Sequence, residues 1–198
     1  MISRTKQLGR VLLVRPGATE FDEQGRMKGS LDMPMSEKGH AQVDELAEQL
    51  NRFHLHTIYT APCESARETA ERLARDRSDA RIKVIDSLRN VDHGLWHGKL
   101  IAEVQQKLPR IYKQGQDSPT DICPPGGESI RDARSRVLKA VQKILKKSSD
   151  PFITIVIPEP LASVVHCLLN GEEVMDFWGA ETDSGRWELI ESVEMLSS

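Results

Sequence analysis

Cysteine, excess charge of one sign and long apolar runs are all scarce in this chain. Its three cysteines, Cys63, Cys123 and Cys167, form an odd, widely spaced set with no Cys-x-x-Cys pair. That pattern excludes a disulfide framework and a cysteine-based zinc site, and it reads as reduced thiols. A formal net charge of −3 gives no electrostatic drive toward nucleic acid or a membrane surface. Arg4, Lys6 and Arg10 precede the apolar run Val11–Val14, but that run is too short for a signal-peptide core and no small-residue cleavage site follows. The most apolar later stretch, Ile153 to Leu169, is interrupted by Pro158, Glu159 and Pro160, which excludes a membrane span. These absences predict a cytoplasmic protein with neither a nucleic-acid nor a membrane partner. At 198 residues, 38% hydrophobic and 29% charged, the chain has the make-up of a globular protein with a sizeable core. No repeat or linker divides it, so residues 1–198 are expected to form one domain.

Strand and helix signals alternate along it. Val11–Val14 is a continuous apolar run of the buried-strand type. Ser36 then caps a helix with Glu37 in its first turn and Val43, Leu46, Ala47 and Leu50 at helical spacing. Thr57–Tyr59 reads as a strand, Glu64 to Ala74 as a helix with Ala66, Ala70 and Leu73 on one face, and Ile82–Ile85 as a third strand. A short helix is predicted from Leu100 to Leu108, ending at Pro109, and the Pro-, Gly- and Asp-rich stretch Tyr112 to Gly127 as a long surface loop. A helix follows from Glu128 to Lys147 with Ile130, Val137, Ala140, Val141 and Ile144 as its apolar stripe. Beyond it come a fourth strand at Phe152–Ile157, a helix at Leu161–Leu169 and an edge strand at Trp187–Ile190. This alternation predicts an α/β fold, a three-layer αβα sandwich on a mostly parallel sheet.

In open α/β sheets, ligands bind beyond the carboxyl ends of strands. Two such ends carry chemistry here, Arg15-Pro16-Gly17 after the first strand and Pro158-Glu159-Pro160 after the fourth. Between them come Thr19-Glu20, Gly25-Arg26-Met27-Lys28-Gly29 and LDMPMSEKG from Leu31. SARETA from Ser65, LRNVDHGLWHG from Leu88 and PGGES from Pro125 follow. In this order, and from Val11 to Trp187, the chain resembles the histidine phosphatase superfamily, the phosphoglycerate mutase-like proteins. The resemblance implies a phosphate pocket of two arginines and two histidines, one of them the nucleophile, with a nearby acid. Carried over residue by residue, the first arginine is Arg15, the nucleophilic histidine falls on Pro16, and the second arginine on Ser65. The acid falls on Asn90 and the second histidine on Pro158. A pocket asparagine is matched by Asp22, whose carboxylate would repel phosphate. Proline has neither an ionisable nitrogen nor an N–H, so it can neither attack phosphorus nor donate to a phosphate oxygen. Asn90 can donate a hydrogen bond but has no proton to give near neutral pH. Each charged hydrogen bond to phosphate contributes roughly 1.5–3 kcal/mol, so losing three such groups should weaken binding by several powers of ten.

Neighbouring residues offer little substitution. Arg67, two positions beyond Ser65 on a helix, should face away from the strand ends. Glu159 repels a phosphate unless a metal intervenes. Arg15 is either a retained anion anchor or one half of an ion pair with Glu20 or Glu159. His93 and His97 could be pictured as metal ligands or a substitute nucleophile, but the glycines around them point to a loop without a shared helical face. His40, His54 and His56 read as surface groups, His166 as a satisfied core or interface residue, and Trp96 and Trp178 as packing residues. PGGES reads as a turn leading into a helix start. The expected protein is a catalytically inactive, histidine-phosphatase-like pseudoenzyme that binds a partner protein or a small-molecule ligand, whether anionic or not, with no cofactor and no metal. Two rivals remain: a phosphomonoesterase with an unconventional nucleophile such as His93, and a different enzyme using Glu159 and Asp22 around a metal.

Overall fold

The computed structural model describes residues 9–173, 176–180 and 183–193, so Arg4 and Lys6 lie outside the described residues. The first strand, β1 (Gly9–Arg15), carries the apolar run, and Val11 to Val14 are fully buried in it. Such a strand needs cover on both faces and partners on both edges. β4 (Ile153–Val156) supplies one edge in parallel, with Val11 opposite Ile153 and Val14 opposite Val156. β5 (Arg186–Val193) supplies the other, antiparallel, with Leu13 opposite Glu188 and Arg15 opposite Arg186. β2 (Thr57–Thr60) and β3 (Arg81–Val84) complete a five-stranded sheet in the order β3-β2-β4-β1-β5. Only β5 runs against the others.

The helices cover this sheet as their apolar spacing requires, making the expected three-layer sandwich. After a short α1 (Glu20–Gln24), α2 (Glu37–Gln49) begins where the Ser36 hydroxyl accepts the Gly39 N–H at 3.2 Å, and it buries Val43, Leu46 and Ala47. It packs on α3 (Glu64–Ala74), whose Ala66, Ala70 and Leu73 are fully buried at i, i+4 and i+7. On the other side, α6 (Ile130–Lys147) starts where the Ser129 hydroxyl accepts the Asp132 N–H at 3.0 Å. Lys146 and Lys147 close α6, where cations favour the helix dipole. Its stripe Ile130, Val137, Ala140, Val141 and Ile144 packs toward α7 (Leu161–Asn170). Each valine or isoleucine of this stripe, when fully buried, contributes roughly 1.5–3 kcal/mol.

One stretch differs from the sequence reading. Tyr112 to Gly127 is not a long loop, because α5 (Pro109–Asp117) and a single 3-10 turn at Pro119–Asp121 occupy much of it. Pro109 ends α4 (Ile101–Lys107) and also opens α5, since a proline in the first helical turn gives up no intrahelical hydrogen bond. Gly115 is a slot for an indole. A Cβ there would lie 2.3 Å from Trp178 Nε1, and that indole N–H donates to Tyr112 O at 2.7 Å while its ring stacks on Tyr112. Trp178 itself sits on a short α8 (Phe177–Ala180).

Gly115→Ala gains about 1 kcal/mol in helix propensity but drives a methyl into a packed ring, an overpacking cost of about 1–3 kcal/mol. Urea unfolding should show a net loss of about 1 kcal/mol. A higher midpoint would refute the packing role given to this glycine.

Candidate functional site

Adjacent parallel strands end level, and this brings the two chemical turns together. Ile157 N–H donates to Val14 O at 3.0 Å, so Pro16 and Pro158 follow β1 and β4 side by side at the carboxyl edge of the sheet. Both prolines are buried. Gly17 closes the first turn against α2, where a Cβ would lie 2.4 Å from Gly39 O. Its N–H donates to Thr69 Oγ1 at 3.2 Å. Thr69 in turn donates to Ser65 O at 2.8 Å, so the face of α3 that carries Ser65 lies against this turn. Ser65 is 1% exposed, with its hydroxyl 3.9 Å from Cys63 Sγ. Asn90 reaches the second turn directly, its amide donating to Glu159 O at 2.7 Å and to Gly29 O at 3.0 Å. The positions that the resemblance assigns to the family's pocket, Pro16, Ser65, Asn90 and Pro158, are thus gathered at one edge.

Arg15 is the charged centre of this edge, and carboxylates of the same chain hold it. Nε donates to Glu159 Oε1 at 2.6 Å and Nη1 to Glu188 Oε1 at 2.6 Å, with Asp183 Oδ2 3.6 Å from Nε. Glu159 is fixed from behind, accepting the Ser163 N–H at 2.9 Å and the Ser163 hydroxyl at 3.0 Å. Glu188 is bonded to His166 Nδ1 at 2.7 Å. Of the two ion-pair partners considered from sequence, Glu159 is found and Glu20 is not. Glu188 was missed. Its proximity depends on strand register: Arg15 faces Arg186 across the antiparallel pair, which puts Glu188 on the diagonal, within reach of a long side chain.

The charges behave accordingly. Burial alone would lower the Arg15 pKa, but Glu159 and Glu188 raise it above the ordinary value, so the guanidinium stays cationic. Burial pushes the Glu159 carboxyl up, against the pull of Arg15 and Ser163. For Glu188, burial acts upward too, yet the hydrogen bond and charge of Arg15, with His166, hold it below the usual carboxylate range.

Other sequence-predicted positions stand elsewhere. Asp22 is no bare carboxylate at a pocket mouth. It accepts the Thr19 N–H at 2.7 Å in a capping box at the start of α1, and buried Lys28 Nζ neutralises it at 2.8 Å. No sequence signal marked Lys28 as its partner. His93 is fully buried, packed on Gly29 and edge-on to Phe177 with centroids 5.5 Å apart. Arg67 points outward toward Asp32, 4.0 Å away. Two cavities, of about 390 Å³ between α2 and α3 and about 160 Å³ between α2 and β5, are lined by none of Pro16, Ser65, Asn90 and Pro158.

A mostly parallel α/β sandwich with its turns gathered at one sheet edge is the fold class. The chain belongs to the histidine phosphatase superfamily (branch 1), whose family model matches residues 11–194. Phosphoserine phosphatase 1 of Hydrogenobacter thermophilus is 30% identical over 185 residues, covering 93% of this chain and 87% of that protein. Among solved structures, mycobacterial hydrolase 1 superposes with a TM-score of 0.81 at 23% identity, covering 92% of this chain and 90% of the other. A mycobacterial glucosyl-3-phosphoglycerate phosphatase solved with VO3 gives 0.75 at 25% identity, covering 86% of each chain. Among the described residues, no helix is long and apolar enough to cross a membrane.

The depressed Glu188 carboxyl sets a pH dependence. Its contribution to stability is complete above the ordinary glutamate pKa of about 4.3 and is lost as pH falls through its lower folded value. Thermal unfolding should therefore show an acid limb that Glu188→Gln makes shallower. An unchanged limb in that variant would contradict the Arg15–Glu188 bond.

Proposed function

We propose that this chain is a histidine-phosphatase-like pseudoenzyme: a single domain of the family that lacks phosphotransfer activity and acts by binding a partner protein or a small-molecule ligand. The observation that carries this reading is the Arg15 guanidinium, whose Nε and Nη1 are bonded at 2.6 Å to Glu159 and Glu188. An arginine that would anchor a phosphate is engaged by two carboxylates, with a third 3.6 Å away, so the edge of the sheet repels anions. Proline at both histidine positions removes the nucleophile, and Asn90 removes the acid. A cytoplasmic location goes with this reading, since the three cysteines form no disulfide.

The rival reading, a phosphomonoesterase with an unconventional nucleophile, draws support from relatives named as phosphatases. Incubation with an aryl phosphate separates the two. The expected result is no turnover above the buffer blank near neutral pH and no acid-labile phosphohistidine. Turnover that co-purifies with the protein and vanishes in His93→Ala would establish the rival. Pro16→His alone should stay inactive, because groups that act as one catalytic unit are strongly non-additive. Pro16→His, Ser65→Arg, Asn90→Glu and Pro158→His together should gain vanadate binding only when Glu159→Gln also weakens the hold on Arg15. Asp22 is best left in place, because its removal would strand the Lys28 ammonium in a buried site.

A further inference from the structure

A second cluster of chemistry-bearing side chains lies at the opposite end of the sheet from Pro16 and Pro158. His54 and His56 come just before β2, on either side of Leu55, which is 1% exposed and anchors the segment in the core. The two rings stack with centroids 6.2 Å apart and planes 20° apart. Asp79 comes from the connection between α3 and β3. The pairing of Thr57 with Arg81, together with the Arg81 N–H donated to His56 O at 2.8 Å, sets it beside the imidazoles. Its Oδ2 lies 3.0 Å from His54 Nε2 and 3.6 Å from His56 Nδ1. One ligand atom from each residue lies within 4.8 Å of the other two, the only such trio among the described residues.

Two imidazole nitrogens and a carboxylate oxygen converging on one point are the donor set of a borderline divalent ion. Around tetrahedral Zn²⁺, with bonds of about 2.0–2.1 Å, neighbouring ligand atoms stand about 3.3 Å apart. The observed gaps of 3.0 and 3.6 Å straddle that value.

We propose that His54, His56 and Asp79 form a site for Zn²⁺ or a similar divalent transition ion, with water completing the coordination. The histidines lie at the surface, as the sequence reading has them; the proposal departs from the reading of the chain as having no metal site. The site is far from the pocket positions, and its role is to hold the sheet edge. Among the described residues β3 pairs only with β2, all four of its residues are exposed, and Ile82 and Val84 are 37% and 51% exposed. An ion bridging Asp79, ahead of β3, to the histidines ahead of β2 fastens this weakly covered strand at its root.

Untagged, EDTA-treated protein titrated calorimetrically with ZnCl₂ tests the site. The expected result is one saturable equivalent. His54→Ala and His56→Ala should each weaken binding by about tenfold or more, and the double variant should abolish it. His40→Ala, an exposed histidine on α2, should leave it unchanged. Excess Zn²⁺ at about a hundredfold over Kd should raise the melting temperature by about 5–10 °C and slow amide exchange in Arg81–Val84. His54 is exposed and His56 half-buried at the surface, so both variants should fold, and far-ultraviolet circular dichroism reports whether they do. No saturable binding, or binding that survives the double variant, would overturn the proposal.

Discussion

A guanidinium that is 2% exposed needs an anion, and the end of β1 buries one at Arg15. Moving an unpaired charge of that size into a protein interior costs several kcal/mol even after relaxation. Here Glu159, 3% exposed, provides the counter-charge from the turn after β4, and Ser163 holds that carboxylate in place. Glu188 provides a second from β5. Three strands are thus tied at their functional ends by one cation. Removing a single partner from such a buried pair typically costs about 3–5 kcal/mol. The same bonds that close the fold leave the arginine occupied by carboxylates.

Around that pair, several polar groups brace the fold. Asn90 is bonded to the backbone carbonyls of Glu159 and Gly29, bracing the second turn. Asp22 neutralises Lys28 and caps α1. Thr69, one turn beyond Ser65, takes up the Gly17 N–H. Pro16 and Pro158 are buried in the two turns and bring no N–H donor to them. The amino ends of β2 and β3 have a different character, with histidines and an aspartate converging at the surface beside an exposed edge strand.

Much of this was legible in the residues themselves. The apolar run at Val11–Val14, the cap at Ser36 and the 3.6-residue spacing of α3 and α6 each express a local preference that packing reinforces. Pairings that depend on register were not legible. Trp187–Ile190 reads as a strand, yet nothing local says that Glu188 will lie diagonal to Arg15. Nor does local composition reveal that Gly115 serves an indole more than sixty residues away, which is why α5 reads as loop. Asp22 and Lys28 meet only because α1 ends in a left-handed turn at Gly25 that folds the chain back. His54 and Asp79 meet only across the pairing of β2 with β3.

The most direct test of the central claim is calorimetric titration of the unmodified protein with vanadate, a mimic of the phosphoryl group. With Arg15 held by Glu159 and Glu188, the expected result is no saturable binding up to millimolar concentrations. Sub-millimolar binding that disappears in Arg15→Ala, in a variant shown to be folded, would mean that the guanidinium is available to ligands and would contradict the occupied-arginine explanation.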